Sequence, residues 1–301
     1  MRASPASFLR TAIAVTASVW ALAAAASASA DTGISFSVGD RDVSRVVSFG
    51  GACVRCELSG RNLSGAQFHG ANFTSATLVG ADLRGATVIG SNFASSDFTR
   101  ADLRQAELVG TSFAGATFVD AHLGGVEAQG AVFSSADLTG ANLTGAEMIG
   151  ADFGNASLVN ADLGQTEMFG ANLSRADATG ASFADAEMTG ANLSGGVFVR
   201  ASFRNAELHG ARLTGGDFTR ADFTGAELNR ADIRNTDLSG ARGLTQAQVS
   251  QACADDNTRL PSGLRGSQCR GRIGTGGGVV VAVPRPPQPP RPPRPWTIST
   301  Q

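Results

Sequence analysis

Three histidines are the side chains of this chain best suited to acid–base or metal chemistry, because an imidazole exchanges protons near neutral pH and binds zinc. They are His69, His122 and His209. No catalytic or metal-binding motif such as G-x-S-x-G or H-E-x-x-H surrounds them. The chain contains no lysine, which excludes a Schiff-base lysine and a Walker lysine. The histidines are catalytic candidates only if the fold brings them together.

Four cysteines flank the middle of the chain: Cys53 and Cys56 lie before it, and Cys253 and Cys269 lie after it. In an exported protein, disulfide formation is the expected chemistry of such residues. We predict a Cys253–Cys269 disulfide and, at the start of the repetitive region, a Cys53–Cys56 disulfide. The alternative is a zinc ion held by four thiolates, which requires the two pairs to meet.

Glutamate recurs at a fixed interval, and this is the most regular feature among the charged residues. The seven residues are Glu107, Glu127, Glu147, Glu167, Glu187, Glu207 and Glu227. Phenylalanine follows the same interval from Phe73 to Phe153, and methionine does so from Met148 to Met188. Residues 20 apart therefore behave as equivalent positions of one repeating structure.

A five-residue repeat defines the elements that must position these side chains. Every fifth residue from Leu58 to Leu238 is apolar, over 37 consecutive positions, and this period fits neither an α-helix nor a flat strand. One unit is Ala81-Asp82-Leu83-Arg84-Gly85. The pattern indicates a chain that turns a corner every five residues and stacks on itself as a solenoid, with Gly and small polar residues at the turns.

The unit resembles the A(D/N)LxG motif of the pentapeptide-repeat family over residues 57–241, well over half of the chain. The resemblance implies an all-β solenoid, namely a right-handed quadrilateral β-helix with about 20 residues in each coil. At a strand spacing of about 4.8 Å, roughly nine coils make a rod ~44 Å long. Some members of the family imitate duplex DNA and protect topoisomerases.

In such a rod the interior is filled by Leu, Phe and Met, which leaves no cavity for catalysis. His69 and His209 share a column but are separated by roughly 34 Å, and His122 lies on another face. The rod also holds the two cysteine pairs ~40 Å apart, which opposes a shared zinc site. We therefore predict no enzyme activity, no cofactor and no metal.

The seven glutamates precede apolar positions and are expected to face water. Their carboxylates repel one another at a spacing of about 4.8 Å, although water and salt screen much of this repulsion. Arg104 and Arg204 are expected to neutralise Glu107 and Glu207 in part, around the corner. The column is then either a solvated acidic face that keeps the rod soluble or a docking strip for cations or a basic partner.

The ends of the chain differ from the repeats. A positive n-region, an apolar run at 11–26 and the small residues at 28–30 predict a signal peptide over 1–30, cleaved between Ala30 and Asp31. No later segment is long and apolar enough to cross a bilayer.

Residues 31–56 are expected to cap the first coil. A capping box at Thr245 and Gln248 predicts a short helix over about 245–253, within a C-terminal cap at 242–270. Residues 271–301 are Gly- and Pro-rich and are expected to be disordered, with polyproline II favoured at 284–295.

Charge separates the repeats from the tail: residues 57–241 carry a net charge of −10 and residues 242–301 carry +6. A duplex carries about 26 charges over 44 Å, so nucleic-acid mimicry is the weaker hypothesis. We predict a non-enzymatic rod, periplasmic or secreted, that presents polar faces to a protein or an envelope polymer, with oligomers possible. The alternative is a DNA mimic that protects or inhibits a type II topoisomerase.

Overall fold

The computed structural model describes residues 51–268, all within the unit that spans residues 36–301. The predicted signal peptide with its cleavage site at Ala30 and Asp31, most of the predicted cap at 31–56, and the tail at 271–301 lie outside the described residues. No helix within 51–268 combines the length and the hydrophobicity that a membrane span requires.

Short extended segments of the backbone pair in parallel. The partner of each repeat position lies 20 residues further along the chain. Strands β1 (Gln67–His69) and β2 (Thr87–Ile89) are joined in the register Gln67 to Thr87. Single parallel bridges continue this pairing along the repeats, as between Asn142 and Asp162. Two consecutive backbone bonds show how a coil is held: the Leu143 N–H donates to Asp162 O at 2.7 Å, and the Asp162 N–H donates to Ala141 O at 2.9 Å.

A turn separates each short extended segment from the next. Every fifth residue from Arg55 to Asn235 has a positive φ, which gives 37 turns, and Gly occupies 20 of them. In a representative turn the Ala66 N–H donates to Leu63 O at 3.0 Å, with Gly65 at φ +65°. Positive φ at the third residue is the signature of a type II turn. Four such turns separate each repeat position from its bridge partner in the next coil, so the solenoid has four sides.

The turns accept larger side chains than the Gly and small polar residues that the repeat pattern predicts. Six arginines and two glutamines adopt positive φ at this position, although L-residues pay a steric penalty there. All eight side chains are exposed, since the corner of the coil points into solvent. The constraint at the corner is therefore the backbone conformation and not the size of the side chain. These residues are Arg55, Arg100, Gln105, Gln165, Arg175, Arg200, Arg220 and Arg230.

The core is a continuous column in which equivalent residues of successive coils stack. The rings of Phe113, Phe133 and Phe153 follow one another at centroid distances of 5.1 and 5.0 Å, almost parallel. A second stack joins Phe183 to Phe203 at 5.0 Å, with nearly parallel rings. The alanines two residues before the apolar positions are buried as well. The regular recurrence of Phe in the sequence thus corresponds to physical stacking.

Helix α1 (Gln246–Gln251) closes the C-terminal end and is shorter than the predicted 245–253. Thr245 is its N-cap, and the reciprocal capping box with Gln248 is present. The Gln248 side chain also donates to the carbonyl oxygens of Phe223 at 3.0 Å and Ala226 at 2.8 Å. The helix therefore occupies the Ala226 carbonyl, whose equivalents in the repeats accept an N–H from the following coil, as Ala66 O does from Thr87 at 2.8 Å.

The chain rejoins the sheet faces after the helix. Cys253 forms a parallel bridge with Asp232, and Arg259 forms one with Asp237. The sequence separation within each of these pairs is larger than that of the pairs within the repeats, by one position for Asp232 with Cys253 and by two for Asp237 with Arg259. The helix thus lengthens the last circuit without ending the parallel pairing.

Cys53 and Cys56 are joined by a disulfide, which leaves neither thiolate free for zinc. Cys253 is also disulfide-bonded. Cys269 lies outside the described residues, so the predicted Cys253–Cys269 pairing stays a prediction.

Candidate interaction surface

Most outward carboxylates and amides of the repeats have a structural role. In 17 units the Oδ1 atom of Asp or Asn accepts the backbone N–H of the residue two positions later, as from Thr144 to Asn142 at 2.9 Å. This N–H belongs to the residue that enters the turn, so the bond fixes the corner. The preference for Asp or Asn before the apolar position is thereby explained.

The seven glutamates from Glu107 to Glu227, here called the glutamate ladder, depart from this rule. Each is joined to the next by a parallel bridge, which aligns them at a spacing of about 4.8 Å. Their side chains are half-buried to exposed. Within residues 51–268 only two of them have a side-chain partner: Gln129 donates to Glu147 at 2.8 Å, and His209 Nε2 lies 3.1 Å from Glu227. The ladder is thus the one column of outward carboxylates in the described repeats that the turns do not use.

The expected neutralisation of the ladder by arginine is wrong. Arg104 binds Asp102 at 2.6 Å, and Arg204 binds Asp222 at 3.2 Å. Arg104 lies two residues after Asp102 on the same face, so the two side chains are neighbours, whereas Glu107 lies beyond the corner. The hydrogen bond from Arg104 holds the pKa of Asp102 below its usual value. The ladder therefore keeps its charge uncompensated by these arginines.

An apolar column runs beside the ladder, two residues further along each coil. It contains Ile89, Val109, Ile149 and Phe169, interrupted by Gln129. These side chains are partly exposed, and that of Ile149 is 36% exposed. We call this column and the glutamate ladder together the ladder face. This column was not predicted from the sequence, although it recurs at the same interval as the glutamates.

The histidines do not converge. His69 ends strand β1, His209 lies in the same column seven coils away, and His122 pairs in a different column with Asp102 and Asn142. His209 packs between Glu227 and Asn229, whose Nδ2 lies 3.1 Å from His209 Nδ1. No group of three or more His, Cys, Asp or Glu side chains in the described part of the chain is arranged to hold a metal ion.

The fold and its outward faces define a four-sided parallel β-solenoid with a packed interior. Eight copies of the model for pentapeptide repeats match this chain, in segments that extend from residue 53 to residue 240. The chain therefore belongs to the pentapeptide-repeat family, whose members form right-handed quadrilateral β-helices. No curated protein sequence gives a significant match.

Several solved structures of pentapeptide-repeat proteins resemble the chain. HetL, involved in heterocyst differentiation regulation in the cyanobacterium Nostoc sp. strain PCC 7120, is 28% identical, over 69% of this chain and 87% of HetL, with a TM-score of 0.28. QnrB1, a plasmid-mediated fluoroquinolone resistance protein, is 19% identical over 68% of this chain and 92% of its own, with a TM-score of 0.37. A protein of the Arabidopsis thaliana thylakoid lumen is 30% identical over 31% of this chain and 68% of its own, with a TM-score of 0.27. The family assignment rests on the repeat model and not on these scores.

Proposed function

We propose that this protein is an exported, non-enzymatic interaction rod that binds a basic partner, a protein or an envelope polymer, through its ladder face. The observation that carries the proposal is the unbroken run of seven Glu in one column, because the equivalent positions of the other columns mix Asp and Asn with Ser, Thr and other residues. Asn142 and its equivalents hold turns, whereas the ladder carboxylates contribute no such bond. Seven like charges in a line cost electrostatic free energy without supporting the fold. A binding role accounts for this arrangement.

Two further features support the absence of catalysis. The apolar positions of the repeats are buried, so the described interior has no space for a substrate. The nucleophiles, bases and acids of the described region are distributed along flat faces and do not converge. The proposal of export rests on the charged, apolar and small-residue pattern of residues 1–30 and on the cysteine usage.

Fractionation of cells that produce the full chain tests the proposal. We expect an envelope or secreted pool whose N-terminal residue is Asp31, and we expect the rod to retain a basic partner from that fraction in a pull-down. Two double variants test which face binds the partner. Glu147→Gln with Glu187→Gln should weaken retention of the partner, whereas Asp137→Asn with Asp177→Asn, on another face, should not. A folded protein confined to the cytoplasm, or equal retention by both variants, would contradict the proposal.

The second candidate function is protection or inhibition of a type II topoisomerase by DNA mimicry. The regular line of carboxylates favours it, since a duplex also presents evenly spaced negative charge. The charge density opposes it, because the net charge of −10 over residues 57–241 is less than half of the ~26 charges on a duplex of the same length. A gyrase supercoiling assay distinguishes the DNA mimic from the interaction rod. An effect on supercoiling at micromolar protein supports mimicry, and the absence of an effect excludes it.

A further inference from the structure

The C-terminal tail has a periodicity that matches the ladder face. From Arg285 to Pro295 every third residue is polar and the others are proline. A polyproline II helix has three residues per turn, so in that conformation Arg285, Gln288, Arg291 and Arg294 would form one ridge with a spacing of about 9.3 Å. Prolines form the other two ridges.

The glutamate ladder repeats this spacing at every second coil. Two coils separate alternate ladder residues by about 9.6 Å, so the two spacings differ by roughly 3%. From Arg285 to Arg294 the ridge spans about 28 Å, and from Glu227 to Glu107 the ladder spans about 29 Å. A polyproline II segment laid along the ladder would therefore keep its arginines opposite ladder carboxylates, since the length of an arginine side chain absorbs the difference.

When the tail runs from the C-terminal cap towards the first coil, one register places every arginine of the ridge opposite a ladder glutamate. Its four pairs are Arg285 with Glu227, Gln288 with Glu187, Arg291 with Glu147, and Arg294 with Glu107. A shift by one coil towards the first coil places Arg294 opposite Thr87, which carries no charge. The register is thus specified by the ends of the ladder.

The apolar column completes the match. Proline ridges bind hydrophobic surfaces, and polyproline II segments lose little conformational entropy on docking. In this register Trp296 follows Arg294 beyond Glu107, next to Ile89 and Val109. Between residues 89 and 169 the surface thus offers carboxylates to the polar ridge and apolar side chains to the prolines, whereas the column is polar beside Glu187, Glu207 and Glu227.

The tail can reach this surface within one molecule. The last described residue, Gln268, forms a bridge with Ala254 at the C-terminal end of the solenoid, the end at which the ladder also finishes. For a Gly-rich random coil, the roughly 17 residues from Gln268 to Arg285 would span roughly 20–25 Å on average. Tethering of this kind gives a high effective concentration, which favours binding within the molecule over binding to a second copy.

We propose that residues 285–296 dock in the polyproline II conformation along the ladder face of their own chain. The basic tail then occupies the surface that a basic partner requires, so a partner must displace it. This inference goes beyond the proposed function and does not depend on export or on any external partner, because both participants belong to one chain.

Tryptophan fluorescence tests the docking directly. The chain has two tryptophans, Trp20 and Trp296, so the full-length Trp20→Phe protein reports on the tail alone, whether or not residues 1–30 are removed. We expect blue-shifted emission and a Stern–Volmer constant for acrylamide that is lower on the order of twofold at low salt. In 1 M NaCl the protection should disappear, because the screening length falls to about 3 Å.

Three variants in the Trp20→Phe background make the test specific. Glu107→Gln with Glu147→Gln should abolish the protection at low salt. Exchanging the tail residues by Arg291→Pro with Pro292→Arg retains composition and charge but moves one arginine off the ridge, and it should weaken the protection. Asp137→Asn with Asp177→Asn, which removes two charges of the same spacing from another face, should leave it unchanged.

Several results would overturn the inference. They are an unprotected Trp296 at low salt, equal protection in the ladder variant and the parent protein, and protection that rises with protein concentration. The last result would assign the tail to a second molecule. Thermal denaturation of each variant, with an unchanged midpoint, separates loss of docking from loss of the fold.

Discussion

Replacement of Phe133 by alanine tests whether the interior is packed as one continuous column. Phe133 is fully buried, and its ring lies between those of Phe113 at 5.1 Å and Phe153 at 5.0 Å. Truncation of a buried phenylalanine costs about 3–5 kcal/mol, and each lost ring contact is worth about 0.5–1.5 kcal/mol beyond burial. The backbone of this coil is fixed by hydrogen bonds to the coils on both sides, so the cavity cannot collapse. We therefore expect a loss in the free energy of unfolding of about 5 kcal/mol.

Phe169→Ala is the matched control, because Phe169 lies on the ladder face and is only partly buried. Its truncation should cost about 1 kcal/mol, since part of the ring remains in water before the change. Urea denaturation followed by far-ultraviolet circular dichroism measures both variants, and midpoints are compared because repeat arrays depart from two-state behaviour. Equal losses for the two variants would refute the packed column.

Three further predictions follow from particular contacts. Gly196→Ala should cost about 1–3 kcal/mol, because a Cβ there would lie 2.6 Å from Phe198 Cε2; an unchanged denaturation midpoint would contradict this. Asn142→Ala should cost about 1 kcal/mol, because it removes the acceptor of the Thr144 N–H, whereas Glu147→Gln should leave the midpoint almost unchanged. In the folded protein, hydrogen bonds from arginine, hydroxyl and backbone donors lower the pKa of six aspartates. Their contribution to stability is complete above an unfolded pKa of about 3.9 and is lost as the pH falls through the lower folded values, so the melting temperature should drop as the pH falls below about 4. A flat profile would exclude this linkage. The six are Asp82, Asp102, Asp222, Asp232, Asp237 and Asp255.

The features predicted well from the sequence are those that the five-residue period fixes. Each apolar position from Leu63 to Leu238 is buried, and equivalent Phe residues of successive coils stack, because the period alone determines which side chains face inward. The capping box at Thr245 was predictable for a similar reason: its bonds join residues only three positions apart. Local chemistry and a repeated register suffice in both cases.

The features that sequence reasoning missed depend on neighbours across a corner. Arg104 contacts Asp102 on its own face and not Glu107, and the repeat pattern does not show on which side of the corner a long side chain will lie. The arginines at positive φ were not predicted, because an L-residue pays a steric penalty in this conformation. The pairing of the whole coil outweighs that penalty. The apolar column beside the ladder was missed because surface positions were judged one at a time and not as columns.

A crystal structure of the full-length protein is the most direct test of the central claim, that one repeating register both packs the interior and aligns the ladder. We predict that each ladder residue pairs with the next glutamate of the ladder, as Glu127 does with Glu147, at about 4.8 Å and with the carboxylates directed outward. A coil of any other length, or glutamates distributed over several faces, would contradict the account.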